Sequence, residues 1–326
     1  MSNSNKCWIC EENLNETIDL LDWRSNENKK FEYYVCKNCG NIQIKEIPEN
    51  LSDYYSDNYY SLQENYINDK QFSKIKKFLL KHRELYFFKI KKDILGFLVN
   101  VIKPNKFNQR ENLAIKFLFD NMNKGIVLDV GSGNNWLWQY FHKLGWTNII
   151  GIDPFFDNDI SINGKKVIYK STFDEFIKNN NCNNIQAIMF NHSLEHISNP
   201  IETIKLAHSI LPSNGKCFIG LPINNGLAKK IWGYTSISFD VPIHLWIPSL
   251  YSLFFLKEKS NFYIKEFNSN YNVDIFFMSY LINKNILLSN NNVSFTKKQK
   301  FFCKKLATLS SNLILSDFIS LILEKK

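Results

Sequence analysis

The segment Gly125-Ile-Val-Leu-Asp-Val-Gly-Ser-Gly133, followed some twenty residues later by Gly151-Ile-Asp153-Pro154, constrains this chain more than any other feature. Ile126, Val127, Leu128 and Val130 make the near-continuous apolar run of a strand buried on both faces of a parallel sheet. The Gly-Ser-Gly turn ends that run and lets backbone approach a ligand closely. A second apolar run, Ile149-Ile-Gly-Ile152, ends on Asp153, an acid placed to accept the two hydroxyl hydrogens of a ribose. The turn itself, Gly131-Ser-Gly133-Asn-Asn135-Trp136, lacks the third glycine of the dinucleotide fingerprint G-x-G-x-x-G. Asp129 would also face a phosphate unfavourably, so a cationic or zwitterionic ligand suits this turn better.

Strand and helix patterns alternate around this pair. Helix 108–121 leads into strand 125–130. Helix 136–144, strand 147–153, strand 166–170, helix 172–178, strand 185–191, helix 201–211 and strand 216–221 follow. This rhythm predicts an α/β fold built on a doubly wound parallel sheet. Segments 262–267 and 318–324 alternate apolar with polar and are expected to pair at the end of the chain, with helices at about 274–288 and 296–312 between them.

The two motifs V-L-D-V-G-S-G and G-I-D-P resemble the class I S-adenosylmethionine-dependent methyltransferases. The resemblance implies a Rossmann-like sheet, a glycine turn that holds the methionine part of the cofactor, and an acid that holds its ribose. Asp129, Gly131, Gly133, Asp153 and Pro154, with Asn191 and His192 at the end of the fourth strand, are then the expected cofactor contacts. Asn135 stands where the family turn GxGxG has its third glycine; asparagine tolerates left-handed backbone better than most residues.

Four of the seven cysteines fall in two CxxC knuckles, Cys7-Trp-Ile-Cys10 and Cys36-Lys-Asn-Cys39. Four thiolates at this spacing can close tetrahedrally on zinc, leaving no open position for chemistry. Residues 1–50 therefore read as a zinc ribbon that the metal folds. Cys182, Cys217 and Cys303 have no partner spacing and read as buried apolar residues. Residues 51–106 read as a tyrosine-rich and basic helical linker or lid, and 107–326 as the cofactor-binding domain.

Composition is that of a globular chain, 44% apolar and 22% charged. No apolar run reaches the ~18 residues of a transmembrane helix, and the first residues carry no apolar secretory core. A cytoplasmic protein is expected. The net charge of +9 sits in one place: residues 70–106 hold eleven Lys/Arg against two acids, and the remaining 29 basic and 29 acidic residues cancel. Phe72, Ile75, Phe78-Leu79, Leu85-Tyr86, Phe88 and Ile90 recur there at helical spacing, which predicts a basic amphipathic helix over 70–103 that Pro104 stops. Such a helix suits an anionic membrane surface as well as it suits water.

Ligands in open α/β sheets bind beyond the carboxyl ends of the strands. The fourth strand runs into Asn191-His192-Ser-Leu-Glu195-His196, so topology brings Glu195 and His196 to the ligand. After the fifth strand come Pro222-Ile-Asn224, Tyr234 and Pro242-Ile-His244-Leu245. These resemble a methyltransferase subgroup that joins a zinc-binding segment to the catalytic domain, several members of which methylate sugars on carbon or oxygen. That subgroup commonly has a Pro-Arg-His-Leu motif here, and this chain lacks its arginine. The resemblance implies transfer from S-adenosylmethionine to a nucleotide sugar or surface-glycan intermediate. His244, His196 and Glu195 are the candidate general bases, because imidazole titrates near neutral pH. Tyr54, Tyr55, Tyr59, Tyr60 and Tyr234 are candidates to line the acceptor pocket. Two other readings compete. One is an RNA methyltransferase using the ribbon and basic helix, although the basic residues form one helix and do not ring the site. The other is a cofactor-fold scaffold without activity.

Overall fold

A computed structural model describes residues 5–24, 29–55, 72–88, 91–105, 109–133, 136–162, 164–180, 182–270, 272–284 and 296–326. The N-terminal lobe contains β1 (Thr17–Leu21), β2 (Lys30–Val35) and β3 (Ile42–Ile44). Two helices follow, α1 (Lys74–Phe87) and α2 (Ile94–Ile102), and then α3 (Gln109–Met122). The large domain continues with β4 (Ile126–Val130), α4 (Trp136–Lys143), β5 (Ile149–Ile152), β6 (Ile160–Ile162), β7 (Lys165–Tyr169) and α5 (Phe173–Asn179). After these come β8 (Ile185–Asn191), α6 (Pro200–Ile210), β9 (Lys216–Pro222), α7 (Leu227–Trp232), β10 (Trp246–Ile247) and α8 (Leu250–Lys259). The chain ends with β11 (Tyr263–Ser269), α9 (Val273–Asn283), α10 (Lys297–Asn312) and β12 (Phe318–Glu324).

The large sheet has eight strands in the order β11-β12-β9-β8-β4-β5-β7-β6. β7, β5, β4, β8 and β9 are mutually parallel. β12, β11 and β6 run against their neighbours. The sheet is therefore mixed, with the parallel α/β core that the sequence predicts. The chain order reverses between β4 and β8, and that switch point opens a crevice at their carboxyl ends. Alternate residues feed opposite layers. Leu128, Val130, Ile188, Phe190, Ile219 and Leu221 face a layer that includes α5, α6, α8 and the N-terminal lobe. Val127, Ala187, Met189 and Phe218 face α3 and α4.

Two sequence expectations change. The basic helix over 70–103 is two helices, because Asp93 accepts the Gly96 amide at 2.7 Å and caps a new start. The N-terminal lobe is not closed by its own strands. Its sheet runs β1-β2-β3-β10, and β10 comes from the loop after β9. Trp246 pairs with Gln43 and Ile247 with Ile42. No helix among the described residues is long and apolar enough to cross a membrane.

Candidate active site

The crevice at the switch point is a cavity of about 990 Å³. Its lining includes Asp129, Gly131, Gly133, Asp153, Pro154, Asn191 and His192, all seven residues that the sequence marks for the cofactor. Gly131 sits at φ +72°, and a Cβ on it would lie 2.4 Å from the Ser193 Cβ, so only glycine fits this turn. Its N–H and that of Ser132 donate to the Ile152 carbonyl at 2.7 and 3.2 Å, which locks the turn to the end of β5. Gly133 donates its N–H to Asp153 Oδ2 at 2.9 Å, and Phe155 donates to Oδ1 at 3.0 Å. The two carboxylates differ in support. Asp153 has those two amides, yet burial still raises its pKa. No hydrogen bond to the Asp129 carboxylate is made among the described residues. Burial, and then the Asp153 charge, push its pKa up to about 7. A buried acid held this way gains from a bound ammonium group. The donor set thus fits an amino acid moiety beside Asp129 and a ribose beside Asp153, two parts of S-adenosylmethionine. Asn135 lies outside the described residues.

Across the cavity, β8 ends in a sharp turn. His192 adopts φ +59°, a conformation rare outside glycine and found mostly at turns and functional sites. Its N–H donates to the Gly220 carbonyl at 2.8 Å. The turn delivers Glu195, fully buried, with its carboxylate 4.0 Å from His244 Nε2 and 3.6 Å from His192 Nδ1. His196 Nδ1 donates to the Ile243 carbonyl and His244 Nδ1 to the Ser238 carbonyl, both at 2.9 Å. A carbonyl can only accept, so each ring carries its proton on Nδ1 and keeps the Nε2 lone pair. The two rings lie 5.1 Å apart. One ligating atom from each of Glu195, His196 and His244 falls within 4.8 Å of the others. Burial lowers the His196 pKa to about 3 and the His244 pKa to about 4. Both imidazoles are therefore neutral at pH 7 with Nε2 unprotonated, and the same burial opposes the charged form.

The N-terminal lobe sets His244. Tyr33 donates its hydroxyl to the His244 carbonyl at 2.8 Å, and the Leu245 amide donates to the Glu195 carbonyl at 2.9 Å. Trp246 Nε1 donates to the Leu194 carbonyl at 2.9 Å. Arg24 reaches from the end of the lobe to Asp240, Nε to Oδ1 3.0 Å, and Trp23 Nε1 donates to the Phe239 carbonyl at 3.2 Å. Trp23 and Asp240 line the cavity. Sequence reasoning did not mark Trp23, Arg24 or Asp240; no spacing or motif links the first two to a loop two hundred residues away. Ile243 is fully buried, and its backbone carbonyl accepts from His196 Nδ1.

The tyrosines divide. Tyr55 lines the cavity, stacked on Phe155 at 4.2 Å and edge-on to His196 at 6.0 Å. Tyr54 is outside the cavity lining, packed on Phe31 at 5.6 Å and bonded to Lys29. Tyr234 is also outside it, with its ring on Phe239 at 5.2 Å. Tyr59 and Tyr60 lie outside the described residues.

The four knuckle cysteines converge. Cys7 Sγ lies 3.5 Å from Cys39 Sγ, and Cys10 Sγ lies 3.4 Å from Cys36 Sγ. All four sulfurs fall within 4.8 Å of one another. Tetrahedral zinc at Zn–S ~2.3 Å asks for sulfurs roughly 3.8 Å apart. Asn41 Nδ2 donates to Cys7 Sγ at 3.8 Å, and the Cys39 amide to Cys36 Sγ at 3.5 Å, as support for thiolates requires. The donor set fits zinc.

A family model described as a methyltransferase domain matches residues 108–280. Among curated proteins none matches the chain. Solved structures that resemble it include an S-adenosylmethionine-dependent methyltransferase from Archaeoglobus fulgidus, at 18% identity and TM-score 0.42, covering 72% of this chain and 100% of that one. The cyclopropane synthase MmaA2 from Mycobacterium tuberculosis aligns at 12% identity and TM-score 0.42, over 69% of this chain and 88% of its own. A methyltransferase from Mesorhizobium loti aligns at 11% identity and TM-score 0.41, over 66% and 98%.

Proposed function

This chain belongs to the methyltransferase-domain family and is a methyl-transferring enzyme that uses S-adenosylmethionine, and from that premise we propose that it methylates a sugar, a nucleotide sugar or surface-glycan intermediate, with a histidine as general base. One observation carries the proposal. The two cofactor acids, Asp129 and Asp153, share a single cavity with Glu195, His196 and His244. The bound cofactor supplies an electrophilic methyl group on a sulfonium. The protein's part is to hold an acceptor atom in line with that methyl and to take the acceptor's proton. The His244 Nε2 lone pair is available for that proton, and the Glu195 carboxylate 4.0 Å away favours the charge the ring then carries. Trp23, Tyr55 and Phe155 offer aromatic faces on the cavity wall. Such faces pack against the C–H face of a sugar ring and leave its hydroxyls to polar groups. Zinc on the four cysteines is part of the same reading, as a structural metal with no role at the reacting atoms.

The test begins with calorimetric titration of the metal-analysed protein with S-adenosylmethionine and its demethylated product. Micromolar binding is expected, weakened at least about tenfold in Asp153→Asn, the cost of roughly one charge-assisted hydrogen bond. Nucleotide sugars are then screened for methyl transfer. Undiminished binding by the variant would overturn the cofactor assignment. Transfer to RNA but to no sugar would overturn the acceptor.

A further inference from the structure

We propose that the α1–α2 hairpin seats this enzyme on an anionic bilayer surface, with one face of α2 entering the boundary between headgroups and acyl chains. The inference does not depend on the identity of the acceptor. In α2, Ile94, Phe97, Leu98, Val101 and Ile102 recur at i, i+3, i+4, i+7 and i+8, an arc of roughly 140° on the helix. All five are exposed, at 46–85% of their full accessible surface. Five adjacent large apolar side chains in water are uncommon on a helix of a globular protein and mark an interaction site.

The opposite side of α2 explains why this face cannot turn inward. Gly96 is buried there, and a Cβ on it would come 2.1 Å from the His82 carbonyl oxygen. The backbone of α2 therefore rests directly on α1, and the arc points away. The hairpin is fixed to the body of the enzyme. Leu80 and Phe88 are buried in the α3–α4 layer. Glu84, with no exposed surface, is bonded to Arg83, Asn105 and Tyr140. A nine-residue helix is ~14 Å long, about half the hydrocarbon thickness. It can lie in an interface but cannot span.

Charge selects the occupant. Lys91 and Lys92 precede α2 and Lys103 follows it, while Lys74, Lys76 and Lys81 stand along α1, all exposed. The two acids between residues 72 and 105 are both engaged: Glu84 as above, and Asp93 with the Gly96 amide and with His82 Nδ1 at 2.5 Å. The exposed charge of the hairpin is thus of one sign. A second copy of this chain would bring one basic rim against another. A nucleic acid would answer the lysines and leave the apolar arc in water. An anionic bilayer satisfies both, since its phosphates meet the lysines and its acyl boundary takes the arc.

The experiment uses the whole 326-residue chain, purified with its metal content analysed, and vesicles of phosphatidylcholine, with and without phosphatidylglycerol. Co-sedimentation with the phosphatidylglycerol vesicles is expected, about tenfold or more above pure phosphatidylcholine and falling with salt. Phe97→Glu/Ile102→Glu should abolish it, and Lys91→Gln/Lys92→Gln should weaken it by about fivefold per lysine. Cofactor affinity should be unchanged in both, which shows that they fold. On the unmodified protein, vesicles should protect the amides of residues 94–102 from hydrogen exchange, a readout that needs no variant. Absence of binding to anionic vesicles would overturn the proposal, as would binding undiminished by the glutamates. Self-association, or RNA binding, that Phe97→Glu/Ile102→Glu abolishes while vesicle binding is absent would reassign the face to that partner.

Discussion

Asp129 is the residue whose environment has the plainest consequence. Its pKa of about 7 against an ordinary 3.8 means the folded state holds a proton that the unfolded state has released. Stability of the cofactor-free protein therefore falls as pH rises from about 4 through about 7. Cofactor affinity runs the other way, because an ammonium group needs the ionised acid. Across pH 6 to 8 the ionised fraction grows about tenfold. Asp129→Asn should remove both slopes, and paired unfolding and calorimetry at several pH values would show whether the difference between the two proteins has opposite signs in the two measurements. The histidines contribute in the reverse sense. With folded pKa values of about 3 and 4, His196 and His244 bind fewer protons than the unfolded chain below pH 6.5, so their contribution to stability is lost as pH falls through that window. For catalysis, kcat at saturating cofactor should stay level down to about pH 5, with no limb near 6.5. His244→Ala should lower kcat about a hundredfold, within the range for a general base, at unchanged cofactor affinity. Normal turnover would remove it as the base. Asp129 and Asp153 were legible in the sequence because a strand, a glycine turn and a second strand fix their places locally. The tautomers and pKa values of the histidines were not, because the carbonyls of Ser238 and Ile243 and the burial around them arise only on folding.

At the scale of elements, the parallel strands could be read from their apolar runs, and β12 and β11 from their alternation. The two-residue β10 could not, since a strand of that length has no period of its own and exists through its partner β3. The division of the basic segment into α1 and α2 was written in Asp93 and Gly96, a cap and a point of close approach, but lysine-rich periodicity runs through both helices and conceals the break. Gly96→Ala tests that packing. The added methyl would sit 2.1 Å from a backbone oxygen, with no flexible side chain to yield. Overpacking of this kind costs about 1–3 kcal/mol. The loss should be local. Hydrogen exchange over residues 94–102 should rise while cofactor affinity stays unchanged, and full protection in the variant would show that the two helices approach less closely.

At the scale of the whole molecule, the cysteine lobe forms part of the cavity wall, through Trp23 and Ile47, and is not an appendage beside it. Asp129 lies in β4 and Asp153 directly follows β5, so both are placed by the large sheet. His244, by contrast, lies two residues before β10, and β10 is hydrogen-bonded to β3 of the lobe. Asn224 Nδ2 donates to the Gly40 carbonyl at 2.7 Å and to the Ile247 carbonyl at 2.8 Å, and Ser249 Oγ donates to the Cys39 carbonyl at 2.6 Å. The second cysteine knuckle is thus bonded directly to the segment that carries His244. Loosening the lobe should disturb His244, Asp240 and Trp23 while leaving Asp129, Gly131 and Asp153 in place. Cys36→Ser, or stripping the zinc proposed for the four cysteines with a thiol-reactive mercurial and a chelator, should therefore lower kcat by about tenfold or more, the scale of a small misplacement of a catalytic group. Binding of the demethylated cofactor should change by less than about threefold, because its contacts do not pass through the lobe. Equal loss of turnover and cofactor binding would mean that the lobe supports the whole fold, and unchanged turnover after removal of the proposed zinc would mean that the β3–β10 pairing holds His244 without it.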